Sequence, residues 1–202
     1  MESNANHIVL RGSLAGLPAF SHENHSRRFF RFLLEVPRLS GAIDTLPVIA
    51  EERILNQIDL SGGELLTVTG EIRSHNIREN GRRHLLIFVF AASVRAEDGE
   101  AINDVVLEGT LCREPVYRRT PLGREICDIM LAVPRPFRRA DYIPCILWGS
   151  TAQQGSQCRT RDVIRIFGRL QSRIYTKLTD DGAEERTAYE ISALSAQIPA
   201  EE

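Results

Sequence analysis

Residues 131–137 read Leu-Ala-Val-Pro-Arg-Pro-Phe, and their central tripeptide Val133-Pro134-Arg135 has already occurred once, as Val36-Pro37-Arg38. The two copies lie 97 positions apart (133 minus 36). The same offset relates five further pairs of residues: Asn6 and Asn103, Gly12 and Gly109, Pro18 and Pro115, Asp44 and Asp141, Pro47 and Pro144. An offset of 98 then relates Gly70-Glu71-Ile72 and Ser74 to Gly168-Arg169-Leu170 and Ser172 (168 minus 70). Because the offset is kept at so many positions, the chain contains an internal repeat of two copies.

The junction between the copies is the polar run Ala96-Glu97-Asp98-Gly99-Glu100, which has no hydrophobic periodicity. Such a run is typical of a short linker. We therefore predict four segments: a first domain over residues 1–98, a linker over 99–102, a second domain over 103–196 and a short tail over 197–202.

Each copy shows the alternation of apolar and polar residues that is typical of half-buried strands. In the second copy, a third strand over residues 142–148 precedes a long strand that starts at Val163 and reaches about Tyr175. Asp181-Gly182 predicts a hairpin turn there, and Asn80-Gly81 predicts one at the matching place in the first copy. Five strands with a connector between the third and fourth are the order of the OB fold. The predicted fold is all-β, with two tandem OB folds as five-stranded, partly open barrels.

The outer surface of the second copy combines rings with arginines. In the third strand Ile143, Cys145 and Leu147 suit the core, so Tyr142 and Trp148 should project outward together. The long strand is predicted to place Ile164, Ile166, Leu170 and Ile174 inward, and Arg165, Phe167, Arg169, Gln171, Arg173 and Tyr175 outward. Phe137 extends this surface from a loop that also carries Arg135, Arg138 and Arg139. Rings that stack on bases and guanidinium groups that meet phosphates predict binding to single strands. The same rings also suit an oligomer interface, and Trp148 or Phe167 also suits a position under a neighbouring loop.

Composition narrows the function classes. The net charge of −2 excludes coating of duplex DNA by bulk basicity, so any contact with nucleic acid must come from a local patch. The sequence has no glycine-rich phosphate loop and no G-x-S-x-G motif, and His22 and His25 lack further ligands at metal-binding spacing. We therefore expect no enzyme activity, no cofactor and no metal. No signal peptide and no apolar stretch of membrane-spanning length is seen, which predicts a cytoplasmic protein close to the nucleoid.

Several motifs of the second half, in order, resemble the bacterial single-stranded DNA-binding protein (SSB) family. They are Asn103-Asp104-Val105-Val106-Leu107-Glu108-Gly109, Thr120-Pro121-Leu122-Gly123, the run over residues 131–137, Asp141-Tyr142-Ile143, Trp148-Gly149 and Gly168-Arg169-Leu170-Gln171-Ser172-Arg173. The resemblance implies a base-stacking role for Phe137, Tyr142, Trp148 and Tyr175, and service in DNA replication, recombination or repair. It also implies contacts with replication or repair proteins, and a homodimer that presents four OB folds. The family usually ends in an acidic, phenylalanine-terminated tip, which residues 197–202 lack, so recruitment of partners by that route is not expected.

The first half is similar, more distantly, to the primosomal replication protein N family through Leu46-Pro47-Val48-Ile49. The positions that match the four rings hold Ser40, Thr45, Glu51 and Ile77. We therefore predict a degenerate OB fold that has kept its core and lost its stacking chemistry. The alternative function is a primosome-like or mobile-element adaptor that uses its OB folds mainly for contacts with proteins.

Overall fold

The computed structural model describes residues 6–79, 82–179 and 182–198, which form twelve strands and two short helices. In chain order the elements are β1 (Asn6–Leu14), β2 (Ala19–Asn24), β3 (Arg27–Pro37), β4 (Ile43–Glu51), α1 (Glu52–Leu55), β5 (Leu65–Glu79), β6 (Arg82–Ala96), β7 (Ile102–Leu111), β8 (Val116–Arg119), β9 (Glu125–Arg135), β10 (Arg139–Trp148), α2 (Gly149–Gly155), β11 (Val163–Thr179) and β12 (Gly182–Gln197). Neither of these helices is long and apolar enough to cross a membrane, as far as the described ranges go.

Five strands of each half close into a ring. In the first half the ring runs β1, β3, β4, β6, β5 and back to β1, and the pair β4–β6 is parallel. In the second half it runs β7, β9, β10, β12, β11 and back to β7. This order confirms two tandem OB folds. The additional short strands β2 and β8, which the sequence did not predict, extend the outer edges of β3 and β9.

Apolar residues of the long strands β5 and β11 fill the interior of the two barrels. Leu66, Val68 and Ile72 of β5 are fully buried, and so are their counterparts Ile164, Ile166 and Leu170 of β11. The prediction for Ile174 is wrong, because its exposed fraction is 70%. Strand β11 pairs with β7 only as far as Gly168, and further along the pairing is with β12 as a two-stranded arm. Ile174 lies on that arm, so it no longer has a barrel interior to face.

The two halves are joined edge to edge in one sheet. Strands β1 and β7 run antiparallel, with register from Asn6 opposite Leu107 to Arg11 opposite Ile102. The chain passes from β6, which ends at Ala96, to β7, which begins at Ile102. The domain limits 1–98 and 103–196 stay a prediction. The predicted turn residues Asn80, Gly81 and Asp181 lie outside the described residues.

Several residues that recur in the sequence occupy positions that this fold constrains. The Asn6 side chain donates to the Ile72 carbonyl at 2.7 Å and accepts from the Ile72 amide at 2.8 Å, and Asn103 makes the same two bonds to Leu170. A Cβ at Gly168 would lie 2.3 Å from the Ser192 carbonyl oxygen, next to a bulge in the β11–β12 pairing. The repeat therefore preserves residues that shape the barrel.

Candidate nucleic-acid interface

Strand β10 carries core residues on one face and two rings on the other, where Ile146 between them is also buried. Ile143, Cys145 and Leu147 are buried, as predicted. Tyr142 and Trp148 lie on the opposite face, where Tyr142 keeps an exposed fraction of 44% and Trp148 is half-buried. Burial raises the pKa of the Cys145 thiol far above its usual range, so this cysteine acts as a small apolar core residue. The strand thus presents two rings on one outer face.

Trp148 is fixed along one edge of its indole. Its Nε1 donates to Ser192 Oγ of β12 at 3.0 Å. A tryptophan held in this way loses little side-chain freedom when a base stacks on it, so the ring is preorganised. Ser192 was not among the predicted site residues. It lies 44 positions from Trp148 in the sequence, and no local sequence pattern indicates that the two residues are in contact.

Strand β12 lies between β10 and β11 and connects Trp148 to the arginines of β11. Ser192 is opposite Arg169 in the β11–β12 register. The Nε of Arg169 is buried and has no hydrogen-bond partner within the part of the chain that the structure describes. The structure therefore brings Trp148 and Arg169 to one row of the sheet.

Further along β11, Arg173 and Tyr175 form a pair on the arm. The Arg173 Cζ lies 5.6 Å from the centroid of the Tyr175 ring, and Tyr175 has an exposed fraction of 37%. Arg173 Nε also donates to Glu190 Oε1 at 3.4 Å, and Gln171 Nε2 donates to the same oxygen at 2.9 Å. Gln171 was predicted to face outward, but it is buried against Glu190, which holds it in place. Glu190 therefore anchors the arginine that supports Tyr175.

Two of the predicted residues on β11 lie away from this group. Phe167 is opposite Val106 of β7, and Val106 is opposite His7 of β1, so Phe167 lies near the centre of the twelve-stranded sheet. The Arg165 Cζ is 5.6 Å from the Phe167 ring, and its Nη1 donates to Glu108 at 3.4 Å. The outward residues thus form two separate groups, of which only one contains Tyr142 and Trp148.

The loop between β9 and β10, together with the strand ends that flank it, carries the remaining predicted residues. Phe137 has an exposed fraction of 94%, and both Phe137 and Arg138 adopt left-handed backbone conformations, with φ of 62° and 56°. Non-glycine residues in this region cost energy and concentrate at functional loops. Arg139 is exposed, whereas Arg135 is engaged by Asp141 at 3.3 Å. Phe137, Arg138 and Arg139 are thus the accessible members of this loop.

In the first half, the position of Trp148 is occupied by a carboxylate held by two arginines. Glu51 accepts hydrogen bonds from Arg27 and, at 2.9 Å, from Arg53. These bonds, that from Arg27 foremost, lower the pKa of Glu51 to about 2. Opposite Glu51 in the strand register lies Phe29, which is 5% exposed and packs 5.8 Å from Phe90. Phe29 is therefore covered and offers no free face for a base.

Comparisons with known proteins identify the family of this chain. The profile of the "Single-strand binding protein family" matches residues 102–199. "Single-stranded DNA-binding protein B" of Bacillus subtilis is 35% identical over 80 residues, which are 36% of this chain and 71% of that protein. The chain belongs to the single-strand binding protein family. The "Single-stranded DNA-binding protein" of Oceanobacillus iheyensis is 33% identical over 106 residues, or 48% of this chain and 63% of that protein. This chain therefore spans somewhat under two thirds of the length of that relative.

The SSB fold extends over both halves. The wild-type single-stranded DNA-binding protein of Thermus aquaticus superposes with a TM-score of 0.78 and 22% identity, covering 98% of this chain and 94% of that one. This likeness shows that the first half has the SSB architecture even though its matched ring positions are empty of rings. The SSB relatives are DNA-binding proteins and not enzymes, in agreement with the prediction that the chain has no catalytic role.

Proposed function

We propose that this SSB-family chain binds single-stranded DNA without strong sequence preference, on the outer face of β10, β11 and β12. The observation that carries the proposal is the pair formed by exposed Tyr142 and edge-anchored Trp148 on one face of β10. Bases of any identity stack on such rings, because every base has a π-face. Phe137 and Tyr175 extend the stacking surface at its two ends.

The arginines supply the phosphate contacts of this proposal. Arg169 lies opposite Ser192, the hydrogen-bond partner of Trp148, and Arg173 lies beside Tyr175. Arg138 and Arg139 contact the phosphates of the DNA strand near the β9–β10 loop. Arg135 and Arg165, which are held in ion pairs, contribute positive charge to the surface. The biological setting that we infer is DNA replication, recombination or repair in the cytoplasm, at the nucleoid, together with proteins of those processes.

Binding should prefer single strands and weaken as salt rises. Trp148 is the only tryptophan of the chain, so its fluorescence reports stacking directly. In a titration with oligo(dT) we expect strong quenching of this fluorescence. The logarithm of the association constant should fall linearly with the logarithm of the salt concentration, with a slope of about −0.7 for each phosphate neutralised. Duplex DNA of equal length should compete poorly, because its bases are already stacked.

Two controls make this titration decisive. Trp148→Phe keeps a ring and should remove the signal while binding, followed by anisotropy of a labelled strand, persists. Equal affinity for duplex and single strands at moderate salt would contradict the stacking account. Tight binding of protein partners without any quenching by oligo(dT) would instead favour the adaptor function.

We further propose that the chain forms a homodimer with four OB folds. The centre of the sheet offers a surface for this contact, because Val9, Val106 and Phe167 are only half-buried there. Light scattering should give about 45 kDa, twice the 22.7 kDa of one chain, since closed twofold dimers are the commonest assembly. Phe167→Asp should shift the mass to that of a monomer, and Ile174→Asp, on the exposed arm, serves as the control. A wild-type monomer that still binds oligo(dT) tightly argues against the dimer.

A further inference from the structure

Two aspartates at equivalent positions of the repeat are completely buried between the halves. Asp141 of β10 accepts from the backbone amide of Ser74 in the first half, 2.7 Å from its Oδ1. Its Oδ2 accepts from Arg73 Nη1, also of the first half, at 3.2 Å. Arg135 of its own half completes the set at 3.3 Å. Strand β5 of the first half is thereby fastened to β10 of the second.

A similar set of bonds recurs with the halves exchanged, but without a counterpart of Arg73, whose equivalent position is held by Gln171. Asp44 of β4 accepts from the backbone amide of Ser172 at 2.7 Å and from Arg38 Nε at 2.7 Å. Arg38 Nη2 also donates to the Ser172 carbonyl at 3.1 Å. Its contact with Asp44 raises the pKa of the Arg38 guanidinium, which keeps the bond charge-assisted. We call the two sets the Asp141 clasp and the Asp44 clasp.

The Asp141 clasp reaches the backbone of a proposed stacking residue. The amide of Tyr142 donates to Ser74 Oγ at 2.8 Å. Strand β10 pairs with β12 only at Cys145 and Ile146, so this amide lies beyond the part of β10 that β12 reaches. Ser74 thus takes the place of a missing strand partner. Because the peptide between Asp141 and Tyr142 is held on both sides, the direction of the Tyr142 Cα–Cβ bond is fixed from the first half.

The Asp44 clasp makes the corresponding bond to a residue without a ring. There the Thr45 amide donates to Ser172 Oγ at 3.3 Å. Thr45 occupies the position of Tyr142 in the repeat but has no ring for a base to stack on. Ser74 and Ser172 therefore make equivalent bonds across the same interface, but only Ser74 bonds to the backbone of a residue with an aromatic ring.

We propose that Ser74 of the first half is a positioning residue for the Tyr142 stack of the second half. The inference rests on the proposed function and adds to it a role for the first half, whose own ring positions are empty. The Ser74 hydroxyl does not touch the nucleic acid. It orients Tyr142 in the free protein, so that strand β10 need not become ordered when a base stacks on the ring. This removes part of the entropy cost of binding.

A double-mutant cycle on the full chain tests this coupling. The affinity for oligo(dT) is measured for the wild type, Ser74→Ala, Tyr142→Ala and the double variant. We expect Ser74→Ala to weaken binding about fivefold in the wild type, as for one lost hydrogen bond, and less than about twofold when Tyr142 is already alanine. Ser74→Thr, which keeps the hydroxyl, should restore most of the affinity.

Ser172→Ala is the matched control, because it breaks the equivalent bond on the Thr45 side. Its effect on binding should be the same with and without the Tyr142 ring, and its effect on thermal unfolding should resemble that of Ser74→Ala. Equal effects of Ser74→Ala in both backgrounds, or equal coupling of both serines to Tyr142, would overturn the inference. If Tyr142→Ala alone leaves the affinity unchanged, the stacking function fails and the inference with it. If Tyr142→Ala weakens binding but Ser74 is uncoupled, only the inference fails.

Discussion

Replacing Tyr142 and Trp148 together by alanine is expected to weaken binding to single strands by roughly 2–6 kcal/mol, since each base stack is worth about 1–3 kcal/mol. The two rings share one face of β10, and Trp148 is preorganised by its bond to Ser192. Each single variant should lose about half of this free energy. Anisotropy of a labelled oligo(dT) measures the loss without depending on the fluorescence of Trp148.

The controls separate loss of stacking from loss of folding. Phe20→Ala removes a ring from the first half that is 51% exposed and lies 5.5 Å from the Arg28 guanidinium carbon, so it resembles the target rings in exposure and environment. It should leave the affinity for oligo(dT) nearly unchanged. Thermal unfolding of each variant should remain cooperative. If the β10 double variant binds as the wild type does, the DNA path lies on another surface. If it fails to fold, the rings serve the core and not the ligand.

Much of the architecture could be predicted because it depends on periodicity and repetition. The alternation of Ile143, Cys145 and Leu147 with Tyr142 and Trp148 follows from the pleat of a strand, which sends neighbouring side chains to opposite faces. The repeat then required that both halves share one topology. Both halves have the same topology in the structure. The recurring asparagines bond to the long strands, and the recurring glycines lie where a side chain would clash with a neighbouring strand.

The errors have a common physical cause. Alternation continues unchanged where a barrel ends and an arm begins, so it cannot show that Ile174 has left the core. The partners of Trp148 and Gln171 on β12 are distant in sequence, and the residues Ser192 and Glu190 carry no motif of their own. Contacts of this kind depend on which strands become neighbours in the sheet. The local alternation of apolar and polar residues does not determine that order.

The repeat did contain a signal for the two clasps. Asp44 and Asp141 recur at the offset of 97, and Ser74 and Ser172 recur at the offset of 98. Aspartate is seldom fully buried without a partner, so a recurring aspartate within an alternating apolar strand indicates a recurring partner. What the sequence could not show is that each partner belongs to the other copy. That exchange is what makes the two halves depend on each other.

Replacing Asp141 by alanine is expected to lower the free energy of unfolding by about 3–5 kcal/mol, the usual cost of removing one partner from a buried ion pair. The change leaves Arg73 and Arg135 without their shared carboxylate and the Ser74 amide without its acceptor. Chemical denaturation followed by circular dichroism measures the loss. Asp141→Asn should lie in between, because an amide oxygen still accepts from Ser74 while the charge is lost.

Asp128→Ala is the matched control, since Asp128 also pairs with an arginine, Arg118, at 2.7 Å, but on the surface of the second half. An exposed pair of this kind contributes at most about 1 kcal/mol. The difference between the two aspartates therefore isolates the burial of the Asp141 clasp. Asp44→Ala should cost somewhat less stability than Asp141→Ala, because Asp44 pairs with one arginine, Arg38, whereas Asp141 pairs with both Arg73 and Arg135. The two should also differ in binding, since only the Asp141 clasp includes a bond to the backbone of a proposed stacking residue, Tyr142. Equal loss from Asp128 and Asp141 would mean that the Asp141 clasp does not help to hold the halves together.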